Sequence, residues 1–573
     1  MADKACICND IINISSPFCE YCSLDLYKKT EFIKKEVLYP KLELKKGNYG
    51  TSGYRQDSSV LGPIVKRCAI VALAKSIDST SNSKTNIPKC SGIILTASHN
   101  PAKDNGVKLI DENGRMFDNK WELICDNYIN NDSFKPFNES RLYKDFGIVL
   151  VFRDTRESGN NFKDDIISVL GNFNCHVVDC GKVSTPLAHF IVMKFNEIIS
   201  TLNVSMTSNN FNLPSIDVIK KIYYLQNLDF YRKYCKNEKI FFDDANGVGG
   251  ITVTEFLEYS SKHINGNFIS IVTPQGILNK DCGAEYVKYF GVPPGITFKK
   301  KLFSVDGDMD RLIIMKGKDS NINIDNKTSN SNIEMFDGDD FIIIFLNIFF
   351  EKLQGIGNLG NVEIGVVVSD YTNFAVSEFI KRNYEEKDTT IGIDIVKAKT
   401  GIKNFIDKAS KYDIGIYFEP NGHGGICFGA NFTAKLEDMK KISGNKDLDF
   451  VLDASRIFFP LIGDPLPVMF LIEAGKLEKM IEKFPTKMEN IKIEDSKKIQ
   501  ENVQKFESLN DKYSKRRCSC KTCGGKSPTS RIFIRASGTE PVVRVYAESE
   551  CEENLKKIVD DATFFLKNGE EKN

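Results

Sequence analysis

The sequence predicts an α/β fold built of several layered domains, on three observations. Short apolar strands alternate with amphipathic stretches bearing Lys and Glu over most of the length. Most of these strands run directly into Gly, Asn, Asp or Ser, the turn chemistry of a strand's carboxyl end; examples are Ile93–Thr96, Ile148–Phe152, Ile240–Asp243, Leu312–Met315 and Val366–Ser369. And 573 residues exceed what one core organises, so roughly three or four domains are expected.

Composition narrows the function. A hydrophobic share of 41% and a charged share of 27% are those of a soluble globular protein. Lys+Arg and Asp+Glu balance at 77 each, so no overall field favours nucleic acid or a membrane, and any anion site must be built locally. The opening MADKACICND is too polar for a secretory signal. The most apolar run, Phe341 to Phe350, is too short to cross a bilayer and contains Asn347; a buried helix or strand is expected there. Sixteen cysteines without a signal peptide suggest reduced thiols and a cytoplasmic protein. Polar interruptions at Ser79–Lys84 and Lys316–Ser331 read as loops, as does a lysine-rich stretch ending at Cys523. From about Ile457 the order helix, strands, helix indicates a smaller α+β domain.

Four constellations carry chemistry. The first is LTASHNPAKDNGVKLID, Leu95 to Asp111, where Ser98 lies in a tight loop after a strand beside Asn-Pro. A lone serine there is more often a turn residue than a nucleophile, and needs partners to be one. The second is Asp306-Gly-Asp308-Met-Asp310-Arg311. Three carboxylates at alternate positions, bent by a glycine, can converge on a hard divalent cation. An EF-hand would need glycine and glutamate where Arg311 and Gly317 stand. The set suits Mg²⁺ with an open coordination position.

The third is Glu419-Pro420-Asn421-Gly-His423, a compact donor and acceptor set suited to sugar hydroxyls. The fourth is Arg535-Ala536-Ser537-Gly538-Thr539-Glu540 with Arg544, whose arginines, hydroxyls and glycine form a phosphate cradle. Looser arginine sets occur at Arg153 to Gly159 and at Gly50 to Arg55.

Together, in this order, these loops resemble the α-D-phosphohexomutase superfamily, over roughly residues 45 to 570. Within it they are most similar to the eukaryotic phosphoacetylglucosamine mutases. That similarity rests on TASHNPAKDNGVKLID, on the EPNGHG sugar loop, and on the position of Arg153–Arg156 and Thr185-Pro186 after the serine loop. Further matches are Asn246-Gly-Val-Gly249, Cys282-Gly-Ala-Glu-Tyr-Val-Lys288, Lys399-Thr-Gly401 and Tyr412-Asp-Ile-Gly-Ile-Tyr417. Pro420, Ala536 and Tyr54 depart from the usual alanine, proline and phenylalanine.

The resemblance implies three similar mixed α/β domains plus a smaller C-terminal α+β domain around a central cleft. The expected divisions are a Cys-containing extension (1–40), then 41–190, 191–300, 301–455 and 456–573. It implies interconversion of N-acetylglucosamine 6-phosphate and 1-phosphate through phosphorylated Ser98 and a sugar bisphosphate, supplying UDP-N-acetylglucosamine synthesis. One Mg²⁺ per chain would be held by Asp306, Asp308, Asp310 and the phosphate on Ser98. Glu419, Pro420, Asn421 and His423 would bind sugar; Arg535, Ala536, Ser537, Gly538, Thr539 and Arg544 would bind phosphate. His99 and Lys108 are candidates for the general acid/base, with Arg55 and Arg311 as charge stabilisers. A monomer is expected, with a dimer as the alternative, and sugar phosphates rather than nucleic acid or membrane as partners.

Two other readings compete. A glucose or mannose phosphomutase of the same fold differs in its sugar loop. A metal-binding interaction protein would use Cys6, Cys8, Cys19 and Cys22, or Cys518, Cys520 and Cys523, whose spacing suits zinc.

Overall fold

In the computed structural model the described residues run from 49 to 568, except 51–52, 84–86, 132–136, 138, 202–212, 237, 265–267, 320–321, 358, 385–389, 493–527 and 537–541. They divide into two compact units. The first comprises the chain to residue 97 with 103–182 and 191–214; the second comprises 98–102, 183–190 and 215 onward.

The first unit is built on one sheet. Strands β1 (Tyr54–Asp57), β2 (Cys90–Leu95), β3 (Asp104–Ile110), β4 (Gly147–Arg153) and β5 (Cys175–Lys182) order as β1-β3-β2-β4-β5. β2, β4 and β5 are parallel, and β3 turns back antiparallel to β2. Every residue of β2 is buried, as in a strand covered on both faces, and its one polar side chain, Ser91, donates to the Ala72 carbonyl at 2.8 Å. Helix α1 (Ser58–Ser81) lies against this sheet through Leu61, Val65, Ala69 and Leu73. It overruns the expected loop at Ser79–Lys84. The hydroxyls of Thr80 and Ser81 bond back to the carbonyls of Ser76 and Ile77, and buried Ser79 donates to Glu112, so these polar residues are satisfied inside a helix. Helix α2 (Thr185–Thr201) follows β5.

The second unit holds three further sheets. After α3 (Ile216–Tyr234), strands β6 (Ile240–Asp243) and β7 (Ile269–Ile271) precede α4 (Gly283–Phe290). Strands β8 (Lys301–Val305), β9 (Leu312–Gly317) and β10 (Ile333–Phe336) complete the order β10-β9-β8-β6-β7. β8 is parallel to β6 and antiparallel to β9. The expected loop at Lys316–Ser331 accordingly begins two residues inside β9, and Ile324 within it is buried and paired with Phe298.

Helix α5 (Gly338–Ile356) contains the apolar run beginning at Phe341 and buries most of it. Strand β11 (Val362–Val368), helix α6 (Phe374–Tyr384) and strands β12 (Ile391–Lys397), β13 (Ile414–Phe418) and β14 (Gly424–Phe428) follow. Their sheet orders β12-β11-β13-β14, with β13 parallel to β11 and antiparallel to β14. Helix α7 (Pro465–Ala474) precedes the last sheet. There β15 (Thr486–Lys492), β16 (Ser530–Ala536) and β17 (Val542–Ser549) are all antiparallel, and α8 (Glu552–Asn568) covers one face with Leu555, Ile558, Val559 and Ala562.

One arrangement recurs. In each of the first three sheets a strand parallel to its neighbour turns into an antiparallel partner: β2 to β3, β8 to β9, β13 to β14. The three turns are those carrying Ser98, Asp306–Arg311 and Glu419–His423. The fold class expected from the sequence is the fold observed: mixed α/β units and a smaller α+β unit at the C-terminal end.

Candidate active site

The turn between β8 and β9 brings Asp306, Asp308 and Asp310 together, with one carboxylate oxygen of each within 4.8 Å of the others. All three are buried. Alternation along an extended chain would scatter them, and two local features fold them inward. Asp306 Oδ1 accepts from the backbone N–H groups of Asp310 and Arg311, both at 3.1 Å, closing the loop on itself. Met309 takes a left-handed φ of 58°, which reverses the chain between the last two carboxylates.

Ser98 is seated on this loop. It is fully buried, and its hydroxyl donates to Asp306 Oδ2 at 2.6 Å. Its own φ is 52°, an uncommon conformation for a residue with a side chain and one that needs outside support. Asn279 supplies that support, its side-chain amide donating to the carbonyls of Ser98 (2.8 Å) and Asn100 (3.0 Å). Gly307 is required here, since a Cβ would lie 2.8 Å from the Ser98 carbonyl oxygen and 2.9 Å from the Asn279 amide. The Asn246–Gly249 turn holds the same loop from beneath, Val248 N–H donating to Gly307 O at 3.0 Å.

Thr185 fixes Asp308 twice. Its hydroxyl donates to Oδ2 at 2.7 Å, and its backbone N–H donates to the Asp308 carbonyl at 3.0 Å. Sequence reasoning noted the Thr185-Pro186 turn without giving it a role, and missed Asn279, which stands in no recognisable motif.

The charge balance tests whether a cation fits. Burial, then the charges of Asp310 and Asp308, push the Asp306 carboxyl well above its usual range, and Arg311 fails to offset them. Arg311 Nε stands 3.7 Å from Asp306 and 3.9 Å from Asp310. Three buried, mutually repelling oxygen donors around one point are what a small hard divalent cation such as Mg²⁺ relieves.

The sugar-loop candidate is laced to this turn. Leu312 N–H donates to Gly422 O at 3.2 Å, and Arg311 bridges His423 in antiparallel fashion. Gly422 has φ 85°, and a Cβ on it would collide with the Leu312 carbonyl oxygen at 1.9 Å. Glu419 and Asn421 are partly exposed and in mutual contact at 3.4 Å, with Glu419 Oε1 also accepting from Gly401 N–H at 3.2 Å. This contact gives the Lys399-Thr-Gly401 segment a place beside the loop. His423 is buried; its Nε2 accepts from Gly463 N–H at 3.3 Å and lies 4.0 Å from Asp310, so the ring is turned toward the metal loop. Pro420 presents its carbonyl to Lys288 Nζ.

Of the remaining candidates, His99 is partly exposed next to Ser98 in sequence. Lys108, buried on β3 opposite Ile94, and Arg55, on β1 opposite Gly106, belong to the first unit. The arginines at Arg153 and Arg156 are committed within the fold rather than presented as an anion cradle. Arg156 pairs with Asp154 at 2.9 Å in full burial and donates to Asp104 O, while Thr96 Oγ1 donates to the same Asp154 carboxylate; Arg153 pairs with Asp179 at 2.6 Å.

Arg535 in β16 stands directly opposite exposed Arg544 in β17. Ser537, Gly538 and Thr539, with the cysteines numbered 6 to 22 and 518 to 523, lie outside the described residues. Among the described residues, no helix is long and apolar enough to cross a membrane.

Comparison with known proteins brings these features together. The chain matches the family model for phosphoacetylglucosamine mutase AMG1, domain III, over residues 337–479. It matches the C-terminal domain of phosphoglucomutase/phosphomannomutase over 488–563, and that family's alpha/beta/alpha domain I over 75–135 and 139–211. It is 33% identical to a probable phosphoacetylglucosamine mutase of Encephalitozoon cuniculi, over 88% of this chain and 90% of the relative. It is 30% identical to the phosphoacetylglucosamine mutase of Oryza sativa subsp. japonica, over 88% and 92%. A crystal structure of N-acetylglucosamine-phosphate mutase, a member of the alpha-D-phosphohexomutase superfamily, in its product complex, superposes with a TM-score of 0.74 at 25% identity. The match covers 95% of this chain and 100% of that one.

Proposed function

Because the chain belongs to the phosphoacetylglucosamine mutase family, we propose that it interconverts N-acetylglucosamine 6-phosphate and N-acetylglucosamine 1-phosphate by way of a phosphate carried on Ser98. The observation that carries this reading is the 2.6 Å contact of Ser98 with a cluster of three buried aspartates.

Asp306, Asp308 and Asp310 would hold the cation, with a phosphoryl oxygen on Ser98 as a further ligand. Bound Mg²⁺ supplies charge neutralisation for the phosphoryl group in flight. The chain's own residues do the rest. Asn279 and Gly307 hold Ser98 in its left-handed conformation, so the hydroxyl faces the carboxylates before substrate arrives. The phosphorus–oxygen bond to Ser98 breaks as one forms to a sugar hydroxyl. That hydroxyl loses its proton to a base, for which Lys108 and His99 are the candidates, and Ser98 regains one. The bisphosphate turns over and returns its other phosphate to Ser98. Arg55 and Arg311 would spread the charge.

Glu419 and Asn421, with Pro420 and His423 shaping the loop, would hold sugar hydroxyls in both orientations. Arg535, Ala536, Ser537, Gly538, Thr539 and Arg544 would hold the distal phosphate. The divisions 1–40, 41–190, 191–300, 301–455 and 456–573 would put the metal and sugar loops together in 301–455; with the boundary at 300, which cuts the sheet β10-β9-β8-β6-β7, moved to 337, each loop would have its own domain. Such an enzyme supplies UDP-N-acetylglucosamine synthesis in the cytoplasm, acting as a monomer.

The test is peptide mapping for phosphate, paired with turnover of Ser98→Ala on N-acetylglucosamine 6-phosphate. Phosphate on the peptide containing Ser98 and turnover lowered by about a thousand-fold or more are expected. A variant with normal turnover would overturn the proposal, and greater wild-type activity on glucose 1-phosphate would reassign the substrate.

A further inference from the structure

The segment Cys282–Lys288 contributes no atom to the chemistry above, yet it lies between the two loops that do. It forms most of α4. The helix is pinned at its start, where Gly283 N–H donates to buried Asp243 Oδ2 at 2.8 Å. Ala284 and Val287 are buried in a cluster with Leu302 of β8 and Ile313 and Met315 of β9. The hairpin bearing the metal loop and the helix are therefore one packed body.

Glu285 and Lys288 are three residues apart, neighbours on one face of the helix. Glu285 Oε2 meets Arg311 Nη1 at 3.4 Å, just past the last aspartate of the metal loop. Lys288 Nζ donates to Pro420 O, within the sugar loop, and lies 3.4 Å from Asp337 Oδ2 at the start of α5. One face thus grips both loops, through a well-covered lysine (19% exposed side chain) and a more open glutamate (46%).

We propose that Lys288 and Glu285 are positioning residues with separate assignments, Lys288 for the sugar and Glu285 for the cation. By fixing the Pro420 carbonyl, Lys288 sets the directions of the flanking Glu419 and Asn421. Glu285 shares the Arg311 guanidinium with the metal loop. Without it, Arg311 is freer to settle on Asp306 and Asp310 and compete with a cation for them. The inference rests on the mutase reading for what the loops bind.

The experiment is titration calorimetry on the full chain, with MgCl₂ and with N-acetylglucosamine 6-phosphate as separate titrants. Lys288→Met is expected to weaken sugar phosphate binding by about ten-fold, the cost of losing one charged hydrogen bond, with the Mg²⁺ Kd unchanged. Glu285→Gln is expected to weaken Mg²⁺ binding by about two- to five-fold, in keeping with its exposure, and to leave sugar phosphate binding alone. Lys288→Arg, which keeps a charged donor, should bind sugar phosphate within about two-fold of wild type, and carries the test if Lys288→Met does not fold. If both substitutions move both constants together, or neither moves, the inference is overturned. Wild-type protein that binds both titrants without turnover would overturn the mutase reading while leaving this crossed pattern to be read from the Kd values.

Discussion

The second unit contains two buried aspartate triads that solve the same electrostatic problem in opposite ways. Asp337, Asp339 and Asp340 stand at the start of α5 as part of its cap. Asp337 accepts from Asp339 N–H, and Asp340 reaches back to the Asp337 N–H. Lysines converge on them: Lys483 on all three, Lys479 on Asp340 at 2.7 Å, Lys288 on Asp337 at 3.4 Å. Burial alone would raise the Asp337 carboxyl, but Lys483 and Lys288 outweigh it and hold the group below its usual range. At Asp306 burial and the charges of Asp310 and Asp308 win instead. The lysines do not neutralise their triad fully, since burial still pushes Asp339 up to about 7; the two clusters differ in that lysines contact every carboxylate of the helix cap, whereas the metal loop has Arg311 beside two of its three.

The largest expected effect tests the first triad. Asp308→Asn removes one donor while keeping the shape, and should lower mutase turnover by about a thousand-fold, several kcal/mol of transition-state stabilisation. Circular dichroism and the thermal midpoint should show the fold retained, since a buried repulsion has been relieved. Turnover within ten-fold of wild type would mean that the triad is structural after all.

The second triad should fail in the other currency. Lys483→Met strands carboxylates in a buried site, and is expected to cost about 3 kcal/mol of stability in urea unfolding. Turnover of the folded protein should stay within about ten-fold. A loss of turnover without a loss of stability would break the distinction between the two clusters.

Why only one triad was legible in the sequence follows from the same contrast. Asp306, Asp308 and Asp310 alternate about one glycine and precede an arginine, a local pattern. Asp337, Asp339 and Asp340 owe their meaning to Lys483, Lys479 and Lys288, which are remote in sequence. The strands were legible from apolar runs, and Val366 or Ile148 needed no tertiary information. Thr80 and Ser81 misread as loop because their hydroxyls are satisfied by their own helix. Asn279 was invisible, since its work is to hold two carbonyls about 180 positions away, a contact that leaves no local trace.

Cation removal sharpens the comparison further. At about a hundred times its Kd, Mg²⁺ should stabilise the wild type by about 2.7 kcal/mol over EDTA-treated protein. The shift, read by scanning calorimetry with and without MgCl₂, should vanish in Asp308→Asn and persist in Lys483→Met. A shift lost in both would place the cation's effect elsewhere.

The most gradual effect, spread over several pH units, concerns a partly buried carboxylate held by hydrogen bonds. Asp464 caps α7 by accepting from Leu466 N–H at 3.1 Å, and Tyr223 in α3 donates to its other oxygen at 2.8 Å. Burial outweighs both bonds and pushes the group up to about 7, so that it holds its proton where an exposed aspartate would not. The folded state therefore binds the proton more tightly than the unfolded chain. This contribution to stability is fully present below about pH 4, the unfolded value, and is lost as pH rises through about 7. Asparagine has the shape of the protonated acid and cannot ionise. Between pH 4 and 7 the wild type should lose stability relative to Asp464→Asn by at most about 1.4 kcal/mol per pH unit, less to the extent that solvent reaches the carboxyl. Urea midpoints at pH 4, 5.5 and 7 measure it. Parallel profiles for the two proteins would mean that Asp464 is ionised throughout, and that Tyr223 and the helix start suffice to hold a charge which, at Asp337, takes lysines.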